Sequence, residues 1–147
     1  MNIESQLMTV LTQLPWLPIV LSIVAANIIG MLWYGPLFGK IWMKLANIKP
    51  DPKGMNEGMG RAFLIENLYC IVRNIMFAIL FVLVDPTSFA SAMILACLVT
   101  SAAWTILFSN VAWENMSWKL LFINGSRIWL DLHVAAALLY FLWSKAA

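Results

Sequence analysis

Long apolar runs separated by short polar or Pro/Gly-containing stretches dominate the chain. A helix crosses the hydrocarbon core of a bilayer with about 20 predominantly apolar residues. Runs of that length lie at about 16–34, 62–84, 89–111 and 120–143. The pattern predicts an all-α polytopic membrane protein, one four-helix transmembrane domain over residues 1–147. Trp16 and Tyr34 bracket the first run, where amphipathic rings favour the membrane interface, and Gly35-Pro36 stops it. Asp85-Pro86 marks a tight turn between the second and third runs, and the polar segment WENMSWK (113–119) separates the third from the fourth.

Two shorter stretches have a different period. Ile3, Leu7, Val10 and Leu14 recur at helical spacing before Pro15, which predicts a short amphipathic N-terminal helix lying in the membrane interface. Residues 37–46 place Leu37, Phe38, Ile41, Trp42 and Leu45 on one side and Lys40 and Lys44 on the other, the pattern of a basic interfacial helix between spans 1 and 2. KPDPKGMNEGMG (49–60) is the one stretch that reads as a true loop, and any mobile or partner-facing segment is expected there.

Composition sharpens this picture. With 63% hydrophobic and 11% charged residues, the chain is far from the roughly half-apolar, quarter-charged soluble domain. The net charge of +2 matters through its distribution, since no basic patch or motif marks a nucleic-acid partner. Lys40, Lys44, Lys49, Lys53, Arg61 and Lys119 fall in the first and third connections, against Lys145 alone on the opposite side. The positive-inside rule then puts residues 35–61 and 112–119 in the cytoplasm and both termini outside, in a bacterial inner membrane. Only Glu4 carries charge before the first run, and no small-residue cleavage site follows it, so the run reads as a retained span rather than a signal peptide. Cys70 and Cys97 lie inside apolar runs without CxxC or Cys/His spacing, and read as small apolar side chains rather than a disulfide or a zinc site.

The spans carry five ionisable side chains: Glu66 and Arg73 in the second, and Arg127, Asp131 and His133 in the fourth. Charge at a helix centre costs about 2.5 to 3.5 kcal/mol even on the insertion scale, so such groups pair or line a polar cavity. Spans two and four run in the same direction. At about 1.5 Å per residue, Glu66 and Arg127 lie roughly 6 and 10 Å past the cytoplasmic start, and Arg73 and Asp131 both roughly 16 Å. Depth and sign therefore match Arg73 with Asp131 and Glu66 with Arg127, and the four charges sum to zero. Seven- and four-residue spacing puts each same-helix pair on one face, and Asn67 and Asn74 repeat the seven-residue spacing beside them. These residues are expected to form an intramembrane polar network, either a packing device or a polar pathway, ion site or pocket.

His133 is the only histidine. It is a hydrogen-bonded structural group, a proton relay with Asp131, or the axial ligand of a chlorophyll or an iron porphyrin, where a single histidine excludes bis-histidine ligation within one subunit. No cofactor is otherwise expected beyond bound lipid, and no metal site. Trp16, Trp33, Trp42, Trp113, Trp118 and Trp143 fall near the interfaces, whereas Trp104 and Trp129 lie deeper. Ser88, Ala92, Ala96 and Thr100 recur every four residues, a close-packing stripe.

LWYGPLFGKIWMK (32–44) and WENMSWKLLFING (113–125) together resemble the four-span membrane family catalogued as domain of unknown function 1761, over nearly the whole chain. The resemblance implies fold and membrane location and carries no activity, and no family role attaches to the five ionisable residues. A second similarity, on Arg61, Glu66 and Asn67, is to the four-span membrane-associated eicosanoid and glutathione metabolism enzymes. It would imply glutathione binding, but the spacing is shorter and an apolar residue precedes the Glu.

Three functional classes follow, in this order: an accessory or structural subunit of a membrane assembly, a small proton- or ion-linked transporter, and a membrane enzyme. The first fits the short connections and the lack of a nucleophile–base pair, phosphate loop or metal cluster. Small-residue stripes and charged spans suggest a homo-oligomer or a larger complex around the chain.

Overall fold

The computed structural model describes residues 3–48 and 57–143, with side chains described over 8–48 and 60–143. Most of the expected 49–60 loop, with Lys49 and Lys53, lies outside the described residues, as do Lys145, the last four residues and the side chains of Ile3 and Leu7.

All regular structure among the described residues is helical: α1 (Ile3–Thr12), α2 (Trp16–Leu32), a π-helical turn (Trp33–Leu37), α3 (Gly39–Leu45), α4 (Glu57–Val84), α5 (Phe89–Trp113) and α6 (Trp118–Leu142). Three stretches are long and apolar enough to cross a membrane: Trp16–Leu37, Gly60–Val84 and Phe89–Trp113. Only 22%, 28% and 22% of them is buried inside the molecule, so most of their apolar surface is left for lipid. The helix α6 has 25 residues but is not among the three, since Arg127, Asp131 and His133 interrupt its apolar run.

Helix ends differ from the apolar-run boundaries where polar residues continue a helix. The α4 helix starts at Glu57 rather than near Ala62, and α6 starts at Trp118, inside the segment expected to connect it to α5. Backbone hydrogen bonding carries a helix past the last apolar residue, which hydropathy alone does not register. The first apolar run does not end cleanly at Tyr34. Its α-helix gives way at Trp33 to the wider turn, where Gly35 leaves helical geometry (φ −99°, ψ −105°) ahead of Pro36, which has no N–H to donate. Leu37 and Phe38 consequently belong to this bend, and the basic helix α3 begins at Gly39.

Three left-handed residues close the other helices: Asn47 after α3, Asp85 after α4 and Asn115 after α5. Asn and Asp tolerate this conformation better than other side-chain-bearing residues. Ser88 then opens α5 with a reciprocal cap, its Oγ accepting from the Ser91 N–H (3.1 Å) while Ser91 Oγ accepts from the Ser88 N–H (3.0 Å).

The central element is α6. It runs antiparallel to α2, since Trp33 Nε1 donates to the Ile123 carbonyl (2.9 Å) while Gly30 lies against Arg127. It runs antiparallel to α5, because Trp104 meets Gly125 while Phe89 meets Tyr140 and Phe141. It runs parallel to α4, where residues 66 and 73 meet 127 and 131 in the same order. The apolar core occupies one end of this bundle, built from Ile19 of α2, Phe77 and Phe81 of α4, Ala92 and Ala96 of α5, and Ala135, Ala136 and Leu139 of α6. Alanines at these fully buried positions let helix backbones approach closely. Thr100 extends the α5 stripe and is buried, with its hydroxyl donating to the Ala96 carbonyl.

Candidate functional site

Beyond that core, towards the end where α6 begins, the interior becomes charged. Residues 127 and 131 share one face of α6 because four residues make just over one turn, and residues 66 and 73 share one face of α4 across two turns. The two faces meet. Arg73 Nη2 donates to Asp131 Oδ2 at 2.9 Å. Arg127 Nη1 donates to Glu66 Oε1, and Arg127 Nε lies 3.4 Å from Asp131 Oδ2. The result is a continuous alternating row, Glu66–Arg127–Asp131–Arg73. Its exposure is graded: the side chain of Asp131 is 1% exposed, Arg127 7%, Arg73 22% and Glu66 48%. Asp131 and Arg127 are thus the sealed centre, and Glu66 the accessible end. Asp131 Oδ1 and the Nε atoms of both arginines are buried without a hydrogen-bond partner among the described residues.

The α2 helix supplies the wall behind Arg127. A Cβ at Gly30 would lie 3.3 Å from Arg127 Nη2, so the absence of a side chain there lets the guanidinium rest against the helix. The Tyr34 ring, one turn on, faces Arg127 Cζ at 5.7 Å from the ring centroid, within cation–π range. Its hydroxyl donates to Asn124 Oδ1 of α6 at 3.1 Å. Gly30, Tyr34 and Asn124 were not expected at the site. The only sequence signal for them is their position within or beside the two motifs quoted above, since the four-residue interval from Gly30 to Tyr34 also fits ordinary packing.

Asn67 and Asn74 are not joined to the row of charges. Each spends its amide N–H on its own helix: Asn67 Nδ2 donates to the Phe63 carbonyl (2.8 Å) and Asn74 Nδ2 to the Cys70 carbonyl (2.9 Å). Asn74 is buried, whereas Asn67 lines a cleft of about 270 Å³ between α2 and α4. Asn27, Tyr34, Phe63, Glu66 and Arg127 also line this cleft.

His133 lies on a different side of α6 from Asp131, as two residues on a helix are about 200° apart. The relay between them is therefore not made by direct contact. Its Nδ1 is 2.7 Å from the Trp129 carbonyl and its Nε2 3.2 Å from Cys97 Sγ of α5. A carbonyl only accepts, so Nδ1 carries a proton donated to Trp129, and Nε2 is the nitrogen that faces the Cys97 thiol. The ring also stacks on Trp129, with centroids 3.9 Å apart. Cys97 and Trp129 face a second cleft of about 330 Å³, shared with Ser101, Trp104 and Thr105. The Cys97–His133 contact spans 36 residues of sequence, which no local spacing reveals. Among the described residues, no group of three His, Cys, Asp or Glu side chains could hold a metal ion.

A family model described as "Protein of unknown function (DUF1761)" matches residues 17–140. No curated protein and no solved structure matches the chain.

Proposed function

We propose, for a chain that belongs to the DUF1761 family of proteins of unknown function, that α6 is a fourth membrane span and that the protein is a structural or accessory subunit of a membrane assembly. In this reading the row of charges inside the bilayer fixes α6 against α4. The observation that carries it is the closure of the row: each of Glu66, Arg127, Asp131 and Arg73 meets an opposite charge, and the set is neutral. A neutral, mutually paired set is what permits charged residues to sit at membrane depth. Positive charge in the connections orients the bundle with 35–61 and 112–119 in the cytoplasm and both termini outside, and a bacterial inner membrane is the setting this implies. The assembly in this reading is a homo-oligomer or a larger complex around the chain.

Stability of paired replacements tests this reading. Removing one partner of a buried pair costs about 3 to 5 kcal/mol, while replacing both by apolar groups of similar volume costs far less. Arg73→Met and Asp131→Leu are each expected to lower the yield of folded protein, and Asp131→Leu more so because it orphans Arg73 and takes from Arg127 one of its two carboxylates. The double variant is expected to recover, by fluorescence-detected size exclusion in mild detergent. A double variant no better than the worse single would remove the pairing argument.

A proton- or ion-linked transporter is the second reading, favoured by the buried Asp131 Oδ1 and arginine Nε atoms without hydrogen-bond partners. Buried polar atoms of that kind are costly to a purely structural network. Proteoliposomes distinguish the two: pH-gradient dissipation that Asp131→Asn abolishes supports transport, and no dissipation above empty vesicles supports the structural role.

A further inference from the structure

We propose that the cleft between α2 and α4 binds a primary ammonium carried on an apolar chain, the headgroup chemistry of an aminolipid. The argument starts from which polar atoms the cleft has left to offer. Asn27 Nδ2 donates to the Ile23 carbonyl (2.9 Å) and Asn67 Nδ2 to the Phe63 carbonyl (2.8 Å). A carbonyl cannot donate, so both amides are fixed with the nitrogen turned to the helix, and each keeps Oδ1 and a second N–H. Tyr34 has spent its hydroxyl proton on Asn124. The half-exposed Glu66 gives Oε1 to Arg127 and keeps its second oxygen. Arg127, 7% exposed, forms the floor with Nη1 engaged by Glu66 and Nε turned towards Asp131.

The cleft therefore offers three side-chain acceptors, the Glu66 carboxylate and the oxygens of Asn27 and Asn67, and beside them the donor Arg127 Nη2, next to Gly30 and engaged by neither carboxylate. A primary ammonium brings three N–H donors and a positive charge to those oxygens, and the phosphate of an aminolipid headgroup meets Arg127 Nη2. A trimethylammonium carries the same charge with no N–H to give. Size and surroundings specify the rest of the ligand. The cleft volume of about 270 Å³ lies at the small end of ligand pockets, room for a headgroup and not for acyl chains. Met31 and Phe63 line it and are 61% and 55% exposed. Both belong to stretches apolar enough to span the membrane, so an attached chain passes between two helices directly into lipid.

Native mass spectrometry of the full chain, released from micelles containing equal amounts of phosphatidylethanolamine, phosphatidylcholine and phosphatidylglycerol with identical acyl chains, tests this. The wild-type protein is expected to retain phosphatidylethanolamine over phosphatidylcholine by about tenfold, the ratio one charge-assisted hydrogen bond supplies. Glu66→Gln and Asn67→Leu should each bring that ratio towards one, and Ser101→Ala in the other cleft should leave it. Asn67→Leu keeps every ion pair intact, so it reports even where Glu66→Gln fails to fold. Soluble ethanolamine in excess should displace little of the lipid, since it lacks the chain. Equal retention of the two zwitterionic lipids by the wild type, a preference for phosphatidylglycerol taken by Arg127, a ratio unmoved by both cleft variants, or full displacement by ethanolamine would each overturn the proposal. The structural role proposed above does not depend on this outcome, and the Arg73→Met/Asp131→Leu variant, altered outside the cleft lining, should keep the lipid preference.

Discussion

At Gly125 the backbone of α6 passes directly beneath the Trp104 indole. A Cβ there would lie 2.6 Å from Trp104 Cε2, while the Gly125 carbonyl accepts from Trp104 Nε1 at 3.2 Å. Glycine inside a helix costs about 1 kcal/mol relative to alanine, and here the close approach of α5 to α6 returns it. Gly125→Val is expected to destabilise the fold by about 1 to 3 kcal/mol through overpacking, seen as a lower thermal midpoint in detergent. Adding Trp104→Ala should recover part of the loss. A valine variant that unfolds like the wild type would mean that α5 and α6 do not meet at this point. In sequence, nothing separates Gly125 from the tolerated glycines of any apolar helix. Its role exists only once Trp104, 21 residues earlier, is brought over it.

Among the elements, the short turn between α4 and α5 is specified most fully by local chemistry. Asp85 takes the left-handed conformation, Pro86 cannot continue the helix, and Ser88 caps α5 through Ser91. Ser88→Ala should cost about 1 kcal/mol and speed hydrogen exchange at the Ser91 amide, whereas Ser88→Asp should keep that amide protected. Exchange unchanged in the alanine variant would show that the cap adds nothing. This is also where sequence and structure coincide most closely, since the apolar runs end and resume at Val84 and Phe89, the limits of α4 and α5. Elsewhere the limits are blurred for physical reasons. Hydropathy does not detect the π-helical turn at Trp33–Leu37, because the turn is made by Gly35 and Pro36 inside an apolar stretch. Depth along parallel helices sets Arg73 level with Asp131. It does not show that Arg127 leans towards the same carboxylate, which depends on rotamers and on the space above Gly30. The amides of Asn67 and Asn74 look like network members by spacing, yet the nearest acceptor for each is a carbonyl one turn back in its own helix.

Taken whole, the molecule has two unlike ends, an alanine-rich apolar core and a charged interior, joined along α6. The proposed orientation places the charged end towards the cytoplasm. Single cysteines at Ser117 and Ser88 test it. In intact cells an impermeant maleimide should label Ser88→Cys and spare Ser117→Cys until the membrane is opened, in a background where Cys70 and Cys97 are replaced. The opposite pattern would invert the orientation.

The pairing between α4 and α6 also bears on how the chain is made. Ribosomes deliver α4 first, so Glu66 and Arg73 reach the membrane while Arg127 and Asp131 are still untranslated. Each charge at the centre of a lone helix disfavours insertion by about 2.5 to 3.5 kcal/mol. The entire α5 helix, Phe89–Trp113, must be synthesised before α6 arrives with the compensating charges. On the four-span reading, α4 therefore holds Glu66 and Arg73 without their partners until α6 arrives. On that reading α6 supplies the compensating charges for a helix made two elements earlier.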